Sequence, residues 1–85
     1  MSEPRETRIR RMKMRSMRRG IKEMDLILTA YADRRLETMN AVGLDLYDAL
    51  LHENDQDLYQ WVTGQVSAPD RYAAMIDEIS QVFQK

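Results

Sequence analysis

Apolar residues recur along this chain at intervals of three and four, and no run of four or more residues alternates apolar and polar with β-branched enrichment. Such spacing belongs to amphipathic helices rather than strands. Five helices are predicted. The first runs from about Arg5 to Arg18, with Ile9 and Met12 starting an apolar stripe that Met17 is placed to extend, acidic residues early and arginines at its end. That order of charge suits the helix dipole. Gly20 follows, able to take a left-handed cap or a tight turn. The second helix spans Ile21 to about Glu37 through Met24, Ile27, Leu28 and Tyr31, and is expected to be the central, most buried one.

Asn40 is placed to cap a third helix reaching about His52, with Val42, Leu46, Tyr47, Leu50 and Leu51 facing inward. Either Asn54 or Asp55 caps a short fourth helix ending near Thr63, anchored by Leu58, Trp61 and Val62, with Gly64 as the residue just past its end. Ser67 and Asp70, three apart around Pro69, approximate a capping box that opens a fifth helix through Tyr72, Met75, Ile76, Ile79 and Phe83. The connections are a few residues long, which favours close packing. The expected fold is all-α, a compact bundle of five helices forming one domain over residues 1–85.

With 44% hydrophobic and 32% charged residues, the chain has the composition of a soluble globular domain. Cysteine is absent, which removes disulfides, cysteine-ligated zinc and thiol nucleophiles together. The longest strongly apolar run, Leu26-Ile27-Leu28, is far below the ~20 residues of a membrane span, so no membrane insertion is expected. There is no apolar signal-peptide core near Met1. Residues 1–20 are arginine-rich, as transit peptides are, but Glu3 and Glu6 interrupt them, so a removable presequence is not expected. A bacterial cytoplasm is the expected compartment, with the mitochondrial matrix as the alternative.

Net charge of −1 conceals a division. Residues 1–20 hold eight Lys/Arg against two Glu, whereas residues 21–85 hold five Lys/Arg against twelve Asp/Glu. A chain polarised in this way can steer a charged partner to one end while its acidic body repels polyanions. The arginines at 5–19 raise nucleic-acid binding as one reading, since arginine pairs bidentately with phosphate. Against it stand the acidic remainder and the lack of a basic groove studded with aromatics. His52 is the sole histidine, and neither H-E-x-x-H nor H-x-x-E-H occurs, so it reads as a surface residue or a partner for a helix C-terminus rather than a metal ligand. Asp55 and Asp57 read as helix N-terminal charges. Met24, Met39 and Met75 read as core; Met14 and Met17 stay open, as does Tyr59, while Trp61 reads as a core anchor.

Arg19-Gly20-Ile21-Lys22-Glu23 stands apart because it lies where the basic segment meets the acidic domain. A junction exposing Arg19 beside Glu23, with no side chain on Gly20, permits close backbone approach by a partner and two charge-assisted hydrogen bonds. An internal Arg19 to Glu23 ion pair is the competing arrangement. Arg18, Lys22 and Asp25 share the junction and its charge, and are further contact candidates.

The run R-S-M-R-R-G-I-K-E-M-D-L-I-L at 15–28, followed by Tyr31-Ala32-Asp33, resembles the succinate dehydrogenase flavinylation factors, the small FAD assembly factors. The second block, N-D-Q-D-L-Y-Q-W at 54–61 with Gly64 and Pro69 after it, is similar to that family's later helix pair, so the likeness covers about residues 8–83. The chain departs from the family in carrying Met14 or Met17 where an aromatic often precedes the R-G pair, and Thr29 where mitochondrial-type members often have glycine. The resemblance implies a bundle of five helices and a non-enzymatic factor, expected to be a monomer when free. It would bind the flavoprotein subunit of succinate dehydrogenase, and of fumarate reductase in some cases. It would promote attachment of FAD to a client histidine, which attacks an activated form of the flavin 8-methyl group. FAD would then belong to the client, with none held stably by this chain. Arg19, Gly20 and Glu23 would dock on the client. The alternative of a factor that carries FAD itself, with Arg18 and Arg19 holding the pyrophosphate, lacks a G-x-G-x-x-G loop or a strand to present one.

Overall fold

In the computed structural model, which describes residues 3–83, periodicity has become five α-helices and one short 3-10 turn, with no strand among the described residues. The outermost two residues at each end of the expected 1–85 domain lie outside the described residues. In chain order the elements are α1 (Arg5–Met17), α2 (Lys22–Arg35), a 3-10 turn (Leu36–Thr38), α3 (Ala41–Leu50), α4 (Asp55–Val62) and α5 (Asp70–Phe83). The radius of gyration, 12.1 Å, matches the roughly 12 Å of a compact chain of this length.

Helix α2 is the centre of the bundle, packing against α1, α4 and α5. Its Met24, Ile27, Leu28, Tyr31 and Ala32 are all buried, as the three- and four-residue spacing predicts. Around them close Ile9 and Met12 of α1, Leu44, Tyr47 and Leu50 of α3, Leu58 and Val62 of α4, and Tyr72, Met75, Ile76 and Ile79 of α5. Trp61 and Tyr59 pack against this core half-buried, and Trp61 stacks on Tyr72 with ring centroids 5.9 Å apart. Three tyrosines sit in the core because each hydroxyl finds a partner. Tyr31 donates to Glu78 at 3.0 Å, Tyr72 donates to Glu53 at 3.0 Å, and Tyr47 shares a 2.6 Å hydrogen bond with Ser16.

The caps follow the polar residues. Asn40 accepts from the Gly43 N–H and opens α3, while Asn54 accepts from the Gln56 N–H and opens α4. Gly64, φ 82°, turns the chain after α4, and the Gln65 N–H behind it returns to the Gln60 carbonyl at 2.9 Å. Gly20 does not take a left-handed conformation; Gly64 alone among the described residues has positive φ.

Three apolar expectations fail for reasons of register, and two boundary expectations differ as well. Val42 is 74% exposed because two residues before Leu44 lies about 200° around the helix, on the outer side. Met17, in the last turn of α1, is exposed, since the buried stripe of that helix is Ile9, Met12 and Ser16. Phe83 is exposed at the end of α5, where Val82 takes the place against the core. Ser67 does not cap α5: that helix begins at Asp70, leaving Pro69 at the preceding position and Ser67 too far back. The third helix also stops at Leu50, short of His52.

Candidate functional site

The basic segment and the acidic body meet along α1. Arg8 donates to Asp45 at 2.6 Å, Arg11 donates to Asp48 at 3.2 Å, and Lys13 donates to Glu37 at 3.1 Å. Most of these groups are partly or largely exposed, so each pair contributes only about 0–1 kcal/mol. Their combined effect is orientation: the charge division seen in the sequence is largely closed within the molecule, α1 lying on the acids of α3 and of the turn before it. Beneath the charges, Ser16 and Tyr47 are both wholly buried, and the Ser16 hydroxyl also donates to the Met12 carbonyl at 2.8 Å. Burial pushes the Tyr47 phenol up to about 12, although Ser16 and the Arg19 charge pull the other way. A serine so enclosed cannot serve as a nucleophile. Burial also opposes ionisation of Asp48, but the hydrogen bond from Arg11 and the charges of Arg11 and Arg8 outweigh it and hold the carboxyl below the usual range.

Helix α1 ends at Met17, and Arg18 takes a non-helical conformation (φ −119°, ψ 53°). Ile21 is extended and opens α2, its carbonyl accepting from the Asp25 N–H at 3.1 Å. Between them Arg19 and Gly20 form an elbow, and the group that holds it comes from 35 residues away. Asp55, the first residue of α4, accepts from Arg19 Nε at 2.6 Å through Oδ1, and from the Gly20 N–H and the Ile21 N–H, the latter at 3.2 Å, through Oδ2. The two other guanidinium nitrogens of Arg19 donate to the Leu51 and Glu53 carbonyls at 2.7 and 2.9 Å. The Arg19 N–H in turn donates to Asp25. Arg19 thus places positive charge beyond the C-terminus of α3 while Asp55 places negative charge at the N-terminus of α4, both favoured by the helix dipoles.

This geometry corrects the expectation of an exposed Arg19. The Arg19 and Asp55 side chains are only 10% and 15% exposed, and the Arg19 fork is fully engaged inside the chain. The anticipated Arg19 to Glu23 pair does not form, because Asp55 takes its place. The group that comes closest to Gly20 is internal rather than a partner: a Cβ there would stand 3.1 Å from Asp55 Oδ2, a tight contact. Asp55 is also more than the helix-terminal charge it was read as, since Asn54 does the capping and frees the Asp55 carboxylate to reach the elbow. Two capping residues in succession, where one suffices, are the sequence signal from which a second role for Asp55 could be read.

The remaining candidates divide. Asp25 faces inward to the Arg19 backbone, while Arg18, Lys22 and Glu23 are exposed and have no ion pair or side-chain hydrogen bond among the described residues. Glu23 lies in the first turn of α2, where the dipole favours its charge. Near exposed Gly20 it adds an exposed carboxylate, unpaired among the described residues, beside accessible backbone. Leu26, one turn on, is 65% exposed. Among the described residues no three His, Asp or Glu side chains gather to hold a metal ion, and no helix is long and apolar enough to cross a membrane. His52 is exposed, its Nδ1 2.9 Å from the Asp48 carbonyl. What the elbow can do is form charge-assisted hydrogen bonds to another surface.

The family described as flavinator of succinate dehydrogenase matches residues 10–83, spanning the elbow, Glu23 and Asp55 together. The chain belongs to this family. It is 40% identical, over 98% of its length, to the mitochondrial succinate dehydrogenase assembly factor 2 of Meyerozyma guilliermondii, and covers 62% of that protein. It is 42% identical over 82% of its length to assembly factor 2-B of Drosophila mojavensis, and 39% identical over 85% of its length to assembly factor 2 of Saccharomyces cerevisiae, covering 46% of each. The chain therefore spans less than two thirds of the length of these relatives.

Proposed function

We propose that this protein is an assembly factor that binds the flavoprotein subunit of succinate dehydrogenase, and of fumarate reductase as a second client, and promotes covalent attachment of FAD to it. Family membership over residues 10–83 supports this reading, as do the names of its relatives. The observation that carries the site is the elbow itself: Asp55 and Arg19 fix its backbone, leaving Gly20 open and Glu23 outward without an internal partner.

Docking of Glu23 and the Gly20 backbone on the client's flavin-proximal surface would hold the client's domains in an attachment-competent arrangement and exclude water from the site. This is stabilisation of one conformation of another protein, without a catalytic group of its own. Arg19 and Asp25 act through the elbow's shape; Arg18 and Lys22 flank it as direct contacts. FAD belongs to the client, and the bond forms between the client's histidine and its flavin. The carrier alternative is disfavoured by Arg19, whose guanidinium is engaged by Asp55 and two carbonyls. The free protein is taken as a monomer that binds no nucleic acid, in the bacterial cytoplasm, with the mitochondrial matrix as the alternative that the relatives' names favour.

Co-expression of the client with wild type, Glu23→Ala or Gly20→Arg, read by in-gel flavin fluorescence, tests the proposal. Both variants are expected to lower covalent flavin strongly. Unchanged flavinylation in both would sink it.

A further inference from the structure

The outer face of α1 is not consumed by the ion pairs to α3. A groove of about 490 Å³ runs along it, with Arg10, Arg11, Met14, Arg15, Arg18 and Arg19 among its lining residues. The arginines differ in how free they are. Arg19 is engaged by Asp55, and Arg11 by Glu3 and Asp48. Arg15 has Asp48 only at 4.0 Å and otherwise faces His52 at 3.4 Å. Arg10 and Arg18 have no carboxylate partner among the described residues, and both are exposed. Midway between them Met14 is 47% exposed, a flexible thioether with no place in the core.

Spacing makes these three a unit. Arg10 and Met14 are four apart on one side of α1, about 6 Å apart along its axis, and Arg18, just past the helix end, lines the same groove about one turn further on, about 12 Å from Arg10. An extended peptide advances about 3.3 Å per residue and turns alternate side chains to one face. Carboxylates at its first and fifth positions would be about 13 Å apart, with the third position over Met14. We propose that this face binds an extended acidic segment of a partner protein in which two carboxylates flank an apolar residue, in the pattern acid-x-apolar-x-acid. Arg10 and Arg18 take the carboxylates and Met14 takes the apolar side chain. The segment's source, on this reading, is the flavoprotein client, so that part rests on the proposed function; the chemistry of the face does not. A protein segment is favoured over nucleic acid because the carboxylates of α3 stand beside the arginines, and because the groove offers no aromatic platform for a base.

A fluorescently labelled peptide of the pattern Glu-Ser-Leu-Ser-Glu, titrated with the full chain and read by anisotropy, tests this. Saturable binding is expected, and it should weaken about tenfold in Arg10→Gln/Arg18→Gln. It should also weaken in Met14→Ser and on raising salt from about 50 to about 300 mM. Arg5→Gln/Arg34→Gln, the same charge change elsewhere, should leave it unaltered. A peptide of the same composition with the two carboxylates adjacent should bind measurably less. Equal affinity for the two peptides, equal loss in both arginine pairs, or saturable binding of FAD or an oligonucleotide lost in Arg10→Gln/Arg18→Gln without peptide binding would each overturn the proposal. Arg10 and Arg18 have no internal partner, so circular dichroism should show both glutamines tolerated. In-gel flavin fluorescence separates the two claims: wild type that fails to flavinylate the client refutes the proposed function alone, and flavinylation without peptide binding refutes this inference alone.

Discussion

Replacing Asp55 by alanine should reveal how much of the fold depends on the elbow. The substitution deletes the acceptor of three hydrogen bonds, from Arg19 Nε, the Gly20 N–H and the Ile21 N–H, and leaves the Arg19 guanidinium without its counter-charge. Breaking a buried ion pair by removing one member costs about 3–5 kcal/mol. Here the cost is discounted, since Arg19 keeps the Leu51 and Glu53 carbonyls and water can reach Gly20. About 2–4 kcal/mol remains. A chain of this length has about 4–13 kcal/mol of stability in all, so the loss is a large share, and Tm should fall by roughly 10–25 °C. Asp55→Asn keeps an acceptor but no charge and should fall between alanine and wild type. Urea titration followed by circular dichroism measures each change. In the double variant Arg19→Ala/Asp55→Ala, the loss should be smaller than the sum of the single losses by about 1–3 kcal/mol. A loss under about 0.5 kcal/mol in Asp55→Ala, or strict additivity, would show that the contact holds nothing.

Glu23→Ala should change stability by less than about 0.5 kcal/mol, because the residue is exposed and has no internal partner; the same urea titration checks it, and normal stability with lost flavinylation would separate contact from scaffold. Asp48 predicts an acid limb. Its carboxyl is lower in the folded chain than the ordinary 3.8, so it stabilises the fold above about pH 4 and loses that contribution as pH falls below. Asp48→Asn should flatten the dependence of the urea midpoint on pH in that interval. Tyr47→Phe deletes the hydroxyl paired with Ser16 while Ser16 keeps the Met12 carbonyl, so a loss of about 0.5–1.5 kcal/mol is expected by thermal melting. Gly64→Ala meets no neighbouring atom but must hold φ 82°, and a loss of about 1 kcal/mol, also read by melting, follows from that backbone alone.

Helix number, the cap at Asn40, a cap at Asn54 or Asp55, the turn at Gly64 and the burial of α2 are legible in the sequence, because each depends on residues within a turn or two of one another. Register at helix ends was less so. Val42 and Phe83 are apolar at positions where the helix presents its outer side or reaches its end, and apolar character does not say which face another helix will cover.

The residues R-G-x-x-E, together with the charge boundary and the family resemblance, mark a candidate site in the sequence. Tertiary structure decided how these residues are arranged. Arg19 and Gly20 looked like outward contacts because their neighbours in sequence are exposed and charged, yet a carboxylate 36 residues later turns Arg19 inward and occupies the space beside Gly20, leaving Glu23 as the outward group. Local patterns set which segments become helices, since propensity and periodicity act over a few residues. Which charge meets which is set by the packing of α4 against the elbow, a long-range arrangement that the order of residues does not display.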